Sequence, residues 1–257
     1  QAPLWRKLAE SPDVDPTVFF LSRHGAEERV DPFFGTEFAW DIPLLEGYRH
    51  EFLSSVSLPG ISRKKPTRWG PTGALFGRGL TERLRKGEFD AVLVQGYASG
   101  AAWGGALAAW RSRVPVIVRG ESHDRGRKTS LWQSVRRQVV SRWLRRVDMV
   151  VAIGLLNREL WRGLGVPDDR ILLSPYAIDN DRFRQTIETA PHRAPELRRL
   201  WGAGDDDVVF LFTGKLTPVK APEVLLAAFA ELPAAARAHL VFVGAGPLEE
   251  QLRAMER

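Results

Sequence analysis

Apolar residues gather in short compact runs along this chain, at 16–22, 89–96, 114–120, 149–154, 171–174, 208–214 and 240–244. Runs of that length, rich in Val, Ile and Phe and bounded by Gly or Pro, predict strands buried on both faces of a sheet. Between them, residues 4–10, 74–86, 101–111, 130–146, 155–164 and 222–232 read as helices, and a last helix starts near Pro247. Strand, helix, strand at this spacing is the pattern of a parallel sheet built from right-handed crossovers.

The expected fold class is therefore α/β, with two Rossmann-like doubly wound domains. Residues 1–185 form the first, 186–204 a linker in which Pro191, Pro195, Gly202 and Gly204 cluster with charges, and 205–257 the start of the second. A helix precedes the first visible strand and Gln1 is not Met, so a leading strand is expected upstream. Two strands cannot cover a sheet of their own, so the second domain is expected to continue past Arg257. Residues 30–50, rich in aromatics and turn formers, read as an ordered loop with short extended pieces, and 59–72 is a Pro/Gly/Arg-rich connection.

Composition narrows the chemistry. With no cysteine, disulfides, thiolate metal sites and cysteine nucleophiles are excluded, and five scattered histidines lack ligand spacing, so no metal site is expected. The excess of 37 Lys+Arg over 31 Asp+Glu, a net charge of +6, implies an anionic partner. There is no apolar run of about 18 residues and no signal-peptide pattern at the start, so a cytoplasmic protein is expected.

The most informative segment is Phe212-Thr213-Gly214-Lys215-Leu216-Thr217-Pro218-Val219-Lys220-Ala221-Pro222-Glu223. A buried strand delivers Gly214, where a ligand can approach the backbone. Lys215 follows at the strand's carboxyl end, and Lys220 stands where a helix begins. Carboxyl ends of parallel strands bind ligands, and a helix N-terminus with adjacent lysines favours a diphosphate. From spacing alone, a solvated lysine pair beside an ordinary turn fits equally well.

Gly214-Lys215-Leu216 with Lys220, then Val241-Phe242-Val243-Gly244-Ala245-Gly246-Pro247-Leu248, resembles the start of the C-terminal domain of the retaining GT-B glycosyltransferases of family 4, the group 1 glycosyl transferases. The strand at 148–153 and Ser174-Pro175-Tyr176-Ala177-Ile178-Asp179-Asn180-Asp181-Arg182-Phe183 resemble the end of that family's N-terminal domain. The resemblance implies transfer of a sugar from a nucleotide-diphosphate sugar to an acceptor that is a glycan, a lipid-linked molecule or a small molecule. The donor is a co-substrate, and no cofactor or metal is implied. Gly214, Lys215 and Lys220 match the donor-diphosphate residues, and Gly244 and Gly246 a glycine turn beside the nucleotide. The family's Glu-x7-Glu element would lie beyond Arg257 and its first glycine-rich loop before Gln1, so the chain alone is expected to be inactive.

In the first domain, Arg119-Gly120-Glu121-Ser122-His123-Asp124 follows a buried strand. The family often has a histidine here, which makes His123 and Glu121 the catalytic candidates, with Arg119 and Ser122 on the acceptor side beside Trp40 and Asp41 of the aromatic loop. Asp205-Asp206-Asp207 precedes a strand and reads as a solvated turn rather than a metal motif; His192 and His239 receive no role. The helix at 128–146 carries Leu131, Val135, Val139 and Trp143 at helical spacing among five arginines. The stripe is expected to pack on the sheet, and a peripheral contact with an anionic bilayer is the alternative. A basic α/β protein that binds nucleic acid or a membrane surface without catalysis is the competing reading, but no nucleic-acid motif is visible. A dinucleotide oxidoreductase fits worse, because Glu249 stands where a third glycine would be needed.

Overall fold

In a computed structural model of the protein, the described residues are all except 1, 22, 24–28, 31–36, 39–41, 58–74, 78, 88, 125–129, 234 and 256–257. They divide into two compact units. Gln1–Arg23 with Leu44–Ile178 forms the first, and His24–Pro43 with Asp179–Arg257 forms the second. The parallel α/β class read from the sequence holds in both.

Helix α1 (Ala2–Ala9) leads into strand β1 (Thr17–Phe20). Two short strands, β2 (Arg29–Val30) and β3 (Glu37–Phe38), pair antiparallel, and β4 (Arg49–Phe52) returns to lie parallel to β1 with Thr17 opposite Arg49. A second antiparallel pair joins β5 (Ser55–Ser57) to β6 (Leu75–Gly77), and α2 (Leu80–Lys86) follows. The helix predicted from residue 74 thus begins later, because Gly79 is left-handed at φ 75° and forms its N-cap. The Pro/Gly/Arg-rich connection at 59–72 lies outside the described residues.

The core of the first unit is a four-stranded parallel sheet. Strand β7 (Val92–Gln95), helix α3 (Gly100–Ser112), strand β8 (Val116–Gly120), helix α4 (Leu131–Leu144), strand β9 (Met149–Ala152), helix α5 (Leu155–Gly163) and strand β10 (Ile171–Leu173) alternate, giving the order β10-β9-β8-β7. Val116, Val118 and Val150 are fully buried, each worth about 1.5–3 kcal/mol relative to exposure. Small residues on α3, Ala102, Ala106 and Ala109, let it sit close on the strands. At the amino end of β8, the Asp148 carboxylate accepts from the Val116 N–H at 2.7 Å, while the Asp148 N–H donates to the Val116 carbonyl at 3.0 Å.

Helix α4 corrects the expectation for its apolar stripe. Its buried positions are Val140, Trp143 and Leu144, while Leu131, Trp132, Val135 and Val139 are exposed. Of the stripe, Trp143 alone packs inward, because the sheet takes a helix face rotated from the one that Leu131, Val135 and Val139 share. The helix starts where Ser130 caps it, its hydroxyl accepting from the Gln133 N–H at 3.2 Å.

In the second unit, α6 (Asn180–Thr189) and α7 (Arg193–Leu200) precede strand β11 (Val208–Thr213), helix α8 (Pro222–Ala230), strand β12 (Ala238–Val243) and helix α9 (Glu249–Met255). β11 and β12 are parallel, with Val208 opposite Ala238 and Thr213 opposite Val243. The 186–204 stretch holds the end of α6 and all of α7; Pro195 fits in α7's first turn, where no intrahelical N–H bond is required of it. Near the amino ends of β11 and β12 the Asp207 carboxylate gathers the Gly204 N–H at 2.7 Å, Arg237 at 2.8 Å and His239 Nε2 at 3.0 Å. The Asp207 side chain is 13% exposed, so the solvated turn expected of the Asp run holds for Asp205 and Asp206 but not for Asp207, which gives His239 a partner. Among the described residues no helix is long and apolar enough to cross a membrane.

Candidate functional site

In both units the candidate residues stand at carboxyl ends of parallel strands, where strand-to-helix loops free backbone groups for ligands. In the second unit, β11 ends at Gly214, whose φ of 154° lies outside the range that L side chains favour. Lys215 follows, half-buried, then Leu216, buried. The loop folds back at Thr217, whose carbonyl accepts from the Lys220 N–H at 2.9 Å and the Ala221 N–H at 3.2 Å. Ala221 is left-handed at φ 48° and offers no side-chain cap, and the fully buried Pro222 opens α8. Both lysines therefore leave one loop that runs from a strand end to an uncapped helix N-terminus. Glu223, one residue inside that helix, carries a buried Oε2 without a hydrogen-bond partner; it received no role in the sequence reading.

Gly244 and Gly246 brace this loop from the end of β12. A Cβ on Gly244 would fall 1.8 Å from the Gly214 carbonyl oxygen, and one on Gly246 2.4 Å from that of Leu216. The bonds that hold the two loops together are Gly214 N–H to the Val243 carbonyl at 3.0 Å, Leu216 N–H to that of Ala245 at 3.0 Å, and Leu248 N–H to that of Leu216 at 3.1 Å. The glycine turn predicted beside a nucleotide thus has a packing reason of its own: only glycine lets the two backbones approach this closely.

In the first unit, β8 delivers Arg119, Gly120, Glu121, Ser122 and His123. Glu121 and His123 are exposed and Ser122 is half-buried. The loop is anchored from beneath by Asn157, the one buried polar side chain among the described residues. Its Nδ2 donates to the Ser122 carbonyl at 2.7 Å, and its Oδ1 accepts from the Ile153 N–H and from Trp161 Nε1, each at 3.1 Å. Trp161 fills the space under Gly120, where a Cβ would meet the indole at 2.8 Å. Above the sheet, Arg119 places its guanidinium 5.2 Å from the ring centroid of Tyr176. Desolvation of the phenol, then its hydrogen bond to Glu121, pushes the Tyr176 hydroxyl up to about 12. The structure thus brings Arg119 and Glu121 together around Tyr176. Tyr176 and Asn157 were not singled out from sequence; the available signal was a polar residue within an apolar helix face. Asp124 pairs with Arg137 at 2.5 Å. Trp40 and Asp41 lie outside the described residues.

Two parallel α/β units with polar loops at the carboxyl ends of their strands make the chain a Rossmann-like α/β protein, and the family comes from its sequence. The model of the glycosyl transferase 4-like domain matches residues 6–177 and that of the glycosyl transferases group 1 residues 194–256, so the chain belongs to the glycosyl transferase 4-like family. The D-inositol 3-phosphate glycosyltransferase of Geodermatophilus obscurus is 30% identical over 153 residues, covering 57% of this chain and 32% of that protein. The crystal structure of Anabaena HepE in complex with UDP and glucose matches with a TM-score of 0.52 and 17% identity, over 82% of this chain and 52% of that one. HepE in complex with UDP-glucose matches with a TM-score of 0.51 and 17% identity, over 81% and 50%. The chain spans about a third of the curated relative and about half of HepE, and the likeness to HepE shows the shared fold.

Proposed function

We propose that this chain carries out sugar transfer from a nucleotide-diphosphate sugar, with retention of configuration, as part of a GT-B glycosyltransferase. The bond between the anomeric carbon and the diphosphate breaks, the acceptor oxygen bonds to the anomeric carbon and gives up its proton to the departing phosphate oxygen, and the nucleotide diphosphate leaves. The observation that carries the reading is the loop from Gly214 to Pro222, which sets Lys215, Lys220 and an uncapped helix N-terminus in one connection after a parallel strand. Two ammonium groups and a helix N-terminus offset charge on a departing diphosphate, a task that otherwise falls to a divalent cation. The binding of UDP-glucose by HepE supports a donor of this class for the present chain.

On the acceptor side the reading places Glu121 and His123 at the reacting hydroxyl, with Arg119 and Ser122 as binding groups; the exposure of Glu121 and His123 on a loop whose base is fixed by Asn157 supports this. The test is nucleotide diphosphate release by the full-length protein over a panel of donors. Lys215→Ala and Lys220→Ala are each expected to lower kcat/KM by roughly a hundredfold, the usual loss for one electrostatic donor. Wild-type turnover in both variants would overturn the assignment.

A further inference from the structure

The exposed side of α4 has a composition that neither the core nor the proposed transfer accounts for. Leu131 is 84% exposed and Trp132 72%, with Val135 and Val139 beside them on the helix and Leu107 of α3 across from them, also exposed. Apolar residues at i, i+4 and i+8 on a solvent-facing arc are what an interfacial helix shows. Neither α3 nor α4 carries a single Asp or Glu. The charges on and just after α4 are arginines, and Arg142, Arg145 and Arg146 are all exposed.

Between the two helices lies a groove of about 490 Å³, lined by Trp103, Leu107, Trp110, Val139, Trp143 and arginine stems. Trp103 and Trp110 satisfy their indole N–H groups on the carbonyls of Tyr97 at 2.9 Å and Arg146 at 3.0 Å. Trp143, 5% exposed, has a buried Nε1 with no hydrogen-bond partner. The lining therefore combines an apolar floor with cationic edges.

We propose that this α3–α4 face docks on an anionic bilayer. Leu131, Trp132 and Val135 enter the boundary between headgroups and acyl chains, Arg142, Arg145 and Arg146 meet lipid phosphates, and the apolar groove seats part of one acyl chain. A bilayer fits better than a nucleic acid because the exposed apolar residues include aliphatic Leu131, Val135 and Val139, which supply insertion rather than base stacking. The proposal stands apart from the donor reading, since vesicle binding needs no sugar nucleotide.

The test is co-sedimentation of the full-length protein with vesicles of phosphatidylcholine alone or with about 30 mol% phosphatidylglycerol, with Trp132 emission read in parallel. Each juxtamembrane arginine contributes roughly a fivefold gain on an anionic surface, so R142E/R145E is expected to lose at least tenfold. L131Q/W132Q, at positions where the fold loses no contact of consequence, is expected to lose a similar factor and the blue shift of emission. Unchanged binding by either pair of substitutions, equal uptake by neutral vesicles, or tighter binding to a single-stranded oligonucleotide than to anionic vesicles would each overturn the proposal. Loss in both pairs, with wild-type thermal stability retained, supports it.

Discussion

Replacing Asn157 by alanine tests whether the loop at the end of β8 is held by the core. Asn157 is 4% exposed and serves three groups: the Ile153 N–H, Trp161 Nε1 and the Ser122 carbonyl. Trp161 is fully buried, so its orphaned N–H bears the desolvation cost of an unmade bond, about 1–3 kcal/mol. The other two bonds add about 0.5–1.5 kcal/mol each, and water that enters the new space recovers part of the total. The expected loss is therefore about 3 kcal/mol, which at a urea slope of about 2–3 kcal/mol/M moves the midpoint down by about 1 M. Urea unfolding followed by tryptophan emission measures it. In Trp161→Phe the orphan is already gone, so adding Asn157→Ala is expected to cost less by about 1 kcal/mol, a coupling read from the double-mutant cycle. A loss under about 0.5 kcal/mol for Asn157→Ala, or strictly additive effects, would refute the argument.

Gly244→Ala sets a Cβ 1.8 Å from the Gly214 carbonyl oxygen; thermal melting is expected to register a loss of more than about 2 kcal/mol, and donor affinity should fall with it as the Lys215 loop moves. Tyr176 is expected to ionise near 12, above its ordinary 10, because desolvation and the bond to Glu121 favour the phenol; ultraviolet titration of the wild type against Glu121→Gln should show the midpoint falling in the variant. The Gly204 N–H first, then His239 and Arg237, hold the Asp207 carboxyl below its ordinary value. A depressed carboxyl stabilises the fold above its unfolded pKa and ceases to as pH falls through its folded one. Acid unfolding of the second unit should consequently begin at higher pH in Asp207→Asn, and an unmoved acid midpoint would count against the cluster.

The strands of both parallel sheets were legible because each is a continuous apolar run ending at Gly or a polar turn, as at 114–120 and 208–214. The expected burial holds only in the first, as at Val116, Val118 and Val150, since Val208, Phe210 and Leu211 of the second are exposed. Arg49–Phe52 was not legible, since its sequence is polar and its pairing with Thr17–Phe20 is a contact between distant segments. The face of α4 was misjudged for a related reason: helical periodicity reveals a stripe but not which side the sheet will cover. Of the sites, the lysine loop was visible as a strand-to-helix junction. Tyr176 and the bond from Asn157 to Ser122 were missed because those contacts join residues dozens of positions apart, and only the sheet order brings them near Glu121 and Ser122. The bracing role of Gly244 and Gly246 likewise depends on the parallel register of β11 with β12.

The aspartate clamps at the amino ends, Asp148 on Val116 and Asp207 on Gly204, Arg237 and His239, stand at the strand ends opposite the loops that carry the candidate residues. Foundations and tools thus occupy opposite rims of each layer. Residues around Glu121 or Lys215 can therefore change while the footing stays intact, and the footing can be reinforced without touching those loops.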